Sequence, residues 1–456
     1  MLTWEYPPRI IGGIAPHVYD LSKALSRLGV EITIVTCDFP GAPKREHEGN
    51  IDVHRVDSYK APTPDFPTWI YTMNSNLQLY TAELLGKGEL KPDIIHAHDW
   101  LVAEAAIGLK HMFRIPLVAT IHSTESGRRS GIHSDYQKML HETEVWLTHE
   151  AWKNICCSDY MANHVSKVLG IPNDKIVKIP NGVNFRKFML PLDKQAFRRK
   201  YATPNEKLVL FVGRMVYEKG VAVLVDAVRK VLKYTDAKFI FVGEGYLREP
   251  LMKKVQQMGL TDKLYFTGFL ADSEVKKLYR AADVCVVPSL YEPFGIVCLE
   301  AMAAETPVVV SNVGGLAEII HHEQNGVTVF SGDADSLAWG ILRVLLDKRF
   351  SDNIAATALK QVKETYSWKS ISIKTLEFYQ GVKSQYEAGS WKPRSKETST
   401  EYHNESIPYP ESPDESVQLS SPLARATSQV YSQISVKDLT HEINQNRVQS
   451  REIEGI

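Results

Sequence analysis

The residues best suited to chemistry fall into four groups. In "GRMVYEKG", Arg214 and Lys219 supply a planar fork and a point charge. Such a pair suits a diphosphate, and it equally describes two solvated surface cations. In "YEPFGIVCLEAMA", Glu292 precedes a turn shaped by Pro293 and Gly295, and Glu300 follows inside the helix that opens there. The bare helix N-terminus at Gly295 favours an anion. Glu292 reaches a cleft from this position, while Glu300, about a turn and a half into the helix, has apolar neighbours and needs a partner such as the hydroxyls of a ribose-like diol.

The third group is "HAHDW" and "TIHS", which place His96, His98, Asp99 and His122 at the ends of two apolar runs. His-x-His after a strand is a metal-ligand pattern, but no carboxylate or cysteine at matching spacing completes it, and no metal is expected. By strand alternation His96 and His98 share one face and pack inside. His122 and Asp99, at the strand mouths, are the candidates for touching a substrate. The fourth group is glycine pairs. Gly12 and Gly13 in "YPPRIIGGIAPHVYDLSKAL" precede a helix whose apolar stripe is Val18, Leu21, Leu25 and Leu28. They permit positive φ and leave no side chain between backbone amides and an anion, although a sharp turn without a ligand needs the same residues. Gly314 and Gly315 in "VGGLAE" repeat the device, and "PNGVN" adds another strand-end turn. The long, polar "STESGRRSGIHSD" after His122 reads as a mobile loop or as a lid that contacts the acceptor.

Alternating strands and helices position these groups. The runs "EITIVTC", "IDVHRV", "DIIHAHD", "PLVATIH", "NICCS" and "KIVKIPNG" read as buried parallel strands with helices between most of them. "MLTW" reads as the end of a first strand whose start is missing. A second alternation runs through "LVLFVGR", "AKFIFVGEG", "LYFTGFL", "VCVVPS", "PVVVSNVGG" and "GVTVF". The expected fold is therefore α/β, with two doubly wound Rossmann-like domains facing a deep cleft that receives the strand ends. The expected divisions are residues 1–185, a connector over 186–206, a second domain over 207–365, a crossing helix over 366–388 and a disordered tail over 389–456, where Ser, Thr, Pro, Gln and Glu dominate.

Composition narrows the classes. The chain has 456 residues, 44% hydrophobic, with 53 basic and 54 acidic side chains and a formal net charge of -1. That length allows full-sized cores, and that balance gives no global nucleic-acid surface. With no bilayer-length apolar run and no signal-like N-terminus, a cytoplasmic protein is expected. The five cysteines are an odd number without metal-like spacing and read as reduced core residues.

Together, the Gly12-Gly13 turn, "HAHDW", "GRMVYEKG", Glu292 and Glu300, and "SNVGGLAEII" resemble the retaining GT-B glycosyltransferases, the group that includes glycogen synthases and family 4 transferases. The likeness covers about residues 1 to 385. It implies a nucleotide-diphosphate sugar donor in the cleft, a glycan or other hydroxyl acceptor beside the first domain, and no cofactor. Arg214 and Lys219 would hold the diphosphate and stabilise the leaving nucleotide. Glu300 would bind ribose, Glu292 the transferred sugar, and His122 and Asp99 the same sugar from the opposite wall. Gly12, Gly13, Phe294, Gly295 and Ile296 would complete the donor site. Bacterial glycogen synthases carry lysine and threonine just before the glycine pair, where this chain has Ile10 and Ile11, a departure that leaves glycogen synthase identity and the nucleotide base open and the glycosyltransferase class intact. The implied activity is transfer of a hexosyl, in the first instance glucosyl, unit. Mannosyl or galactosyl transfer, a lipid or small-molecule acceptor, a nucleotide-sugar epimerase and a non-catalytic sensor are the alternatives. A dehydrogenase is disfavoured because no Gly-x-Gly-x-x-Gly follows a strand.

Overall fold

The computed structural model describes residues 1–57, 63–189 and 191–392. The expected tail from 393 onward lies outside the described residues. The second half forms one parallel sheet of six strands: β8 (Lys207–Val212), β9 (Ala237–Val242), β10 (Leu264–Gly268), β11 (Val284–Val287), β12 (Val308–Ser311) and β13 (Val327–Val329). Their order is β10-β9-β8-β11-β12-β13. β-branched runs such as "VVVS" and "VCVV" are buried throughout because helices cover both faces. The order reverses between β8 and β11, so the loops leaving these two strands diverge to make a ligand crevice.

The first half holds β1 (Ile32–Cys37), β2 (Arg45–Glu48), β3 (Ile51–Val56), β4 (Ile95–His98), β5 (Leu117–Ile121), β6 (Lys153–Cys156) and β7 (Ile176–Lys178). These form two ladders, β1-β3-β2 and β4-β5-β6-β7. Leu2 joins them, with parallel bridges to Val35 on one side and Ala97 on the other. Its amide donates to the His96 carbonyl at 2.8 Å, and its carbonyl accepts from the His98 amide at 3.0 Å. The strand expected at "MLTW" is thus only this bridge and its flanks. β2, exposed and antiparallel to β3, is an addition that "REHE" does not signal, because it has no apolar alternation.

The helix Trp368–Ala388 returns to the first half. Tyr379 Oη lies 2.6 Å from His96 Nδ1, and Trp152 Nε1 donates to Gln385 at 3.1 Å. The two halves also touch across the cleft. Ser158 Oγ donates to the Pro293 carbonyl at 2.7 Å, and the Glu318 carboxylate accepts from the amides of Asp159 at 3.0 Å and Tyr160 at 2.7 Å, capping the helix Asp159–Leu169 from the opposite domain. All five cysteines are free and buried. No described helix is long and apolar enough to cross a membrane.

Candidate active site

The loops after β8 and β11 press together at the switch point. Gly220 has φ +62, and a Cβ there would sit 1.8 Å from the Pro288 carbonyl oxygen, so only glycine permits the approach. The result is that Lys219 Nζ stands 2.7 Å from Glu292 Oε2, an oxygen that also accepts from Ser289 Oγ at 3.0 Å. Arg214 is not part of this contact. It is 60% exposed and pairs with Glu218 at 3.2 Å.

Glu300 is half-buried and accepts from Tyr279 Oη at 2.9 Å. Burial pushes its carboxyl up to about 7, with the Tyr279 hydrogen bond pulling the other way. Tyr279 is fully buried, and in the sequence it looks like any core position of the helix Asp272–Ala281. Phe294 is buried against Tyr366, with ring centroids 6.0 Å apart, so it fixes the turn rather than opening to the cleft. Gly295 caps the helix Ile296–Ala303 at φ +111, where a Cβ would lie 2.5 Å from Leu316 Cδ2. Gly314 and Gly315 are packing glycines. Added Cβ atoms would meet the Glu292 carbonyl oxygen at 2.0 Å and Phe294 Cα at 2.5 Å, so the pair seats the β12 turn beneath the Glu292 loop.

Gly12 and Gly13 differ from all of these. Neither has positive φ, and added Cβ atoms would find only ordinary contacts, 3.8 Å from Glu5 Oε1 and 3.6 Å from Ile296 Cδ1. Gly13 therefore faces the second domain directly. The anion at this helix start is internal: the Glu5 carboxylate accepts from the amides of Ile11, of Gly12 at 2.9 Å and of Ala15 at 3.1 Å. The Gly12 amide is thus engaged, which corrects the expectation that the whole loop presents free amides. Sequence alone does not reveal Glu5 in this role, since an acidic residue well before a helix carries no capping pattern.

His96 spends both ring nitrogens, on Tyr379 Oη and on Thr120 Oγ1 at 2.7 Å. Among the described residues it belongs to no grouping that could hold a metal ion. His98 Nδ1 lies 3.3 Å from His122 Nε2, and His17 stands edge-on to His122 with ring centroids 4.8 Å apart. Ring nitrogens of His17, His98 and His122 lie within 4.8 Å of one another, a grouping that could hold a metal ion. Burial lowers all three below the ordinary histidine range, His17 to about 4, so they are neutral at pH 7. The sequence pattern pointed to His96 in place of His17, because the third ring comes from a helix rather than a neighbouring strand.

Asp99 follows β4 at φ 67, a strained backbone for a non-glycine residue. Burial raises its carboxyl to about 7, opposed by the nearby Arg128 guanidinium. The segment after His122 is structured, which corrects the expectation of a mobile loop. Thr124 caps a short helix, Glu125–Arg129. Arg128 donates to Ser123 Oγ and, at 3.0 Å, to Glu125 Oε2, and lies 3.7 Å from Glu144 Oε1. Glu144, from the helix Asp135–Glu150, accepts from the Glu125 amide at 2.8 Å, and burial raises its carboxyl to about 8. Gly127 packs under the Tyr291 ring of the second domain, so close that a Cβ would come within 2.3 Å of Tyr291 Oη.

Two family models match the chain: one described as Glycosyltransferase Family 4 over residues 11–187, the other as Glycosyl transferases group 1 over 193–361. An uncharacterized glycosyltransferase of Methanocaldococcus jannaschii is 43% identical over 383 residues, 83% of this chain and 97% of that protein. The glycogen synthase of Mycobacterium tuberculosis is 32% identical over 397 residues, 84% of this chain and 94% of that protein. Sucrose-phosphate synthase from Thermosynechococcus elongatus, a solved structure, has a TM-score of 0.73 at 25% identity, covering 84% of this chain and 98% of that one. Two doubly wound units that meet across one cleft are the architecture of the GT-B glycosyltransferases. This chain belongs to that class as a family 4 transferase of the glycogen synthase-like group.

Proposed function

We propose that the protein is a retaining, metal-independent hexosyltransferase that moves a glucosyl unit from a nucleotide-diphosphate sugar to a glycan. The carrying observation is the Lys219–Glu292 pair, 2.7 Å apart at the switch point. A bound diphosphate competes with Glu292 for Lys219, and the exposed Arg214 folds in as the second cation. Glu292, released from the lysine, accepts hydroxyls of the transferred sugar. As the bond from the anomeric carbon to the phosphate breaks, negative charge grows on the leaving diphosphate. Fixed cations and the amides at Gly295 and Ile296 stabilise it without a metal or covalent nucleophile. The departing phosphate then takes the acceptor proton on the same face of the sugar, which retains configuration.

Glu300, as a carboxylate, accepts from the ribose hydroxyls. His122 and Asp99 orient the sugar from the first-domain wall. Gly13 supports this reading because it faces Ile296 of the second domain, 3.6 Å from where its Cβ would lie, which puts its backbone at the wall of the cleft. The glucosyl assignment follows the 32% identical glycogen synthase. The test is nucleoside diphosphate release from UDP-, ADP- and GDP-sugars with and without maltooligosaccharide. Release from a glucose donor that depends on the glucan is expected. Release with no glucan dependence moves the acceptor elsewhere, and no release from any donor refutes the reading.

A further inference from the structure

We infer that Ser158 and Glu318 are positioning residues for Glu292, so that the first domain sets the aim of a carboxylate carried by the second. The inference deepens the transferase reading, on which the role of Glu292 rests. Glu292 turns its carboxylate to Lys219, 2.7 Å away, while the residues on either side of it contact the first domain. Before it, Tyr291 Oη donates to Met161 Sδ at 3.6 Å, and the Tyr291 ring fills the space that Gly127 leaves open. After it, the Pro293 carbonyl accepts from Ser158 Oγ at 2.7 Å. Ser158 is only 1% exposed, so water does not stand in for its hydroxyl.

The amides at the start of the helix Asp159–Leu169 explain why the contact falls here. First-turn amides have no acceptor within their own helix and must find one outside it. Ser158 Oγ takes the amide of Met161 at 3.1 Å while giving its own proton to Pro293, and Glu318 takes the amides of Asp159 and Tyr160. One helix start therefore grips the second domain at two points, and both lie close to the Glu292 backbone. Pro293 is the next residue. Glu318 lies three residues past Gly315, whose amide donates to the Glu292 carbonyl at 2.9 Å. The amides of Leu290 and Tyr291 donate to the Glu218 carbonyl at 2.9 and 3.2 Å, which carries the same constraint to the residue before Lys219. The contacts to Lys219 and Ser289 fix only the carboxylate end of Glu292, so its backbone is oriented from across the cleft. A misplacement of about 1 Å at a reacting centre costs up to about a hundredfold in rate, which makes these two remote bonds matter to turnover.

Three variants of the full chain test this: Ser158→Ala, Glu318→Ala, and Glu318→Gln, whose amide oxygen still accepts from one helix amide. Turnover is followed with UDP-, ADP- or GDP-glucose, whichever the wild type uses, and the nucleotide site alone is probed by titrating the matching nucleoside diphosphate. Each alanine variant is expected to lower kcat about tenfold with nucleotide affinity held within about twofold, and Glu318→Gln to fall between Glu318→Ala and the wild type. Hydrogen exchange read by mass spectrometry is expected to quicken over residues 290–296 in both alanine variants, which a role confined to the first-domain helix would not produce. Unchanged kcat, nucleotide affinity falling in step with kcat, or undisturbed exchange over 290–296 overturns the proposal. Quickened exchange there in a protein whose wild type turns over no donor sinks the transferase reading and leaves the placement of Glu292 by Ser158 and Glu318 standing.

Discussion

Lys219→Ala separates what the Lys219–Glu292 pair does for the fold from what it does for the reaction. Lysine is 25% exposed and glutamate 11%, so the pair is only partly solvated. Losing one partner of a buried pair costs about 3–5 kcal/mol. Here Ser289 still donates to the remaining carboxylate at 3.0 Å, and the lysine's residual exposure weakens the pair, so about 1–3 kcal/mol of stability is expected to go. Turnover falls for a different reason. Loss of one fixed charge-stabilising donor at a leaving group costs about a hundred- to a thousandfold in kcat. The double variant Lys219→Ala/Glu292→Gln distinguishes the two effects, because a neutral amide needs no cation beside it. Denaturant unfolding is expected to show most of the lost stability regained, while single-turnover nucleotide release stays as slow as in Lys219→Ala. If turnover recovers along with stability, Lys219 acts through the fold alone, and the leaving-group role fails.

Three further outcomes follow from the geometry. The Glu300 carboxyl titrates at about 7 and must be ionised to accept from ribose, so the donor KM is expected to fall as pH rises from 6 to 8; Tyr279→Phe removes a hydrogen bond that lowers this value and should move the fall to higher pH, whereas an unshifted KM profile contradicts the ribose contact. Gly13→Ala should fold normally and raise the donor KM, while Gly315→Ala, whose Cβ would sit 2.5 Å from Phe294 Cα, should lose stability by more than about 1 kcal/mol in thermal unfolding; the reverse pattern undoes the distinction between ligand-facing and packing glycines. Chelation with EDTA should leave nucleotide release unchanged, and a loss restored by Zn²⁺ would instead assign a functional metal to His17, His98 and His122.

The strands were legible because their signal is local. Runs such as "LVLFV" and "VVVS" are β-branched and apolar on both faces, which only a covered parallel sheet buries. β2 was silent for the opposite reason, being an exposed edge with no apolar pattern. The candidate site was legible as a set of strand-end residues, since strand ends in doubly wound units converge on a cleft. Its internal contacts were not. The approach of Lys219 to Glu292 depends on Gly220 pressing against Pro288, a contact 68 positions away in sequence. Glu5, Tyr279 and His17 carried no motif, because each acts through a partner that only folding brings near. The segment after His122 reads from its glycines and polar residues as a mobile loop or an acceptor-contacting lid. Folding ties its Arg128 to Glu125 and Ser123, and its Gly127 makes room for Tyr291 from the other domain.

Hexosyl transfer with retention at the anomeric carbon, the reaction proposed above, leaves a spectroscopic signature in its product. The most direct measurement is proton NMR of the reaction between the glucose nucleotide that the donor panel selects and maltotetraose, followed from the first turnovers. A new α-anomeric signal, growing with nucleoside diphosphate and accompanied by a glucan one hexose longer, is the expected result. A β-linked product would contradict retention, and free glucose as the only sugar product would contradict transfer to a glycan.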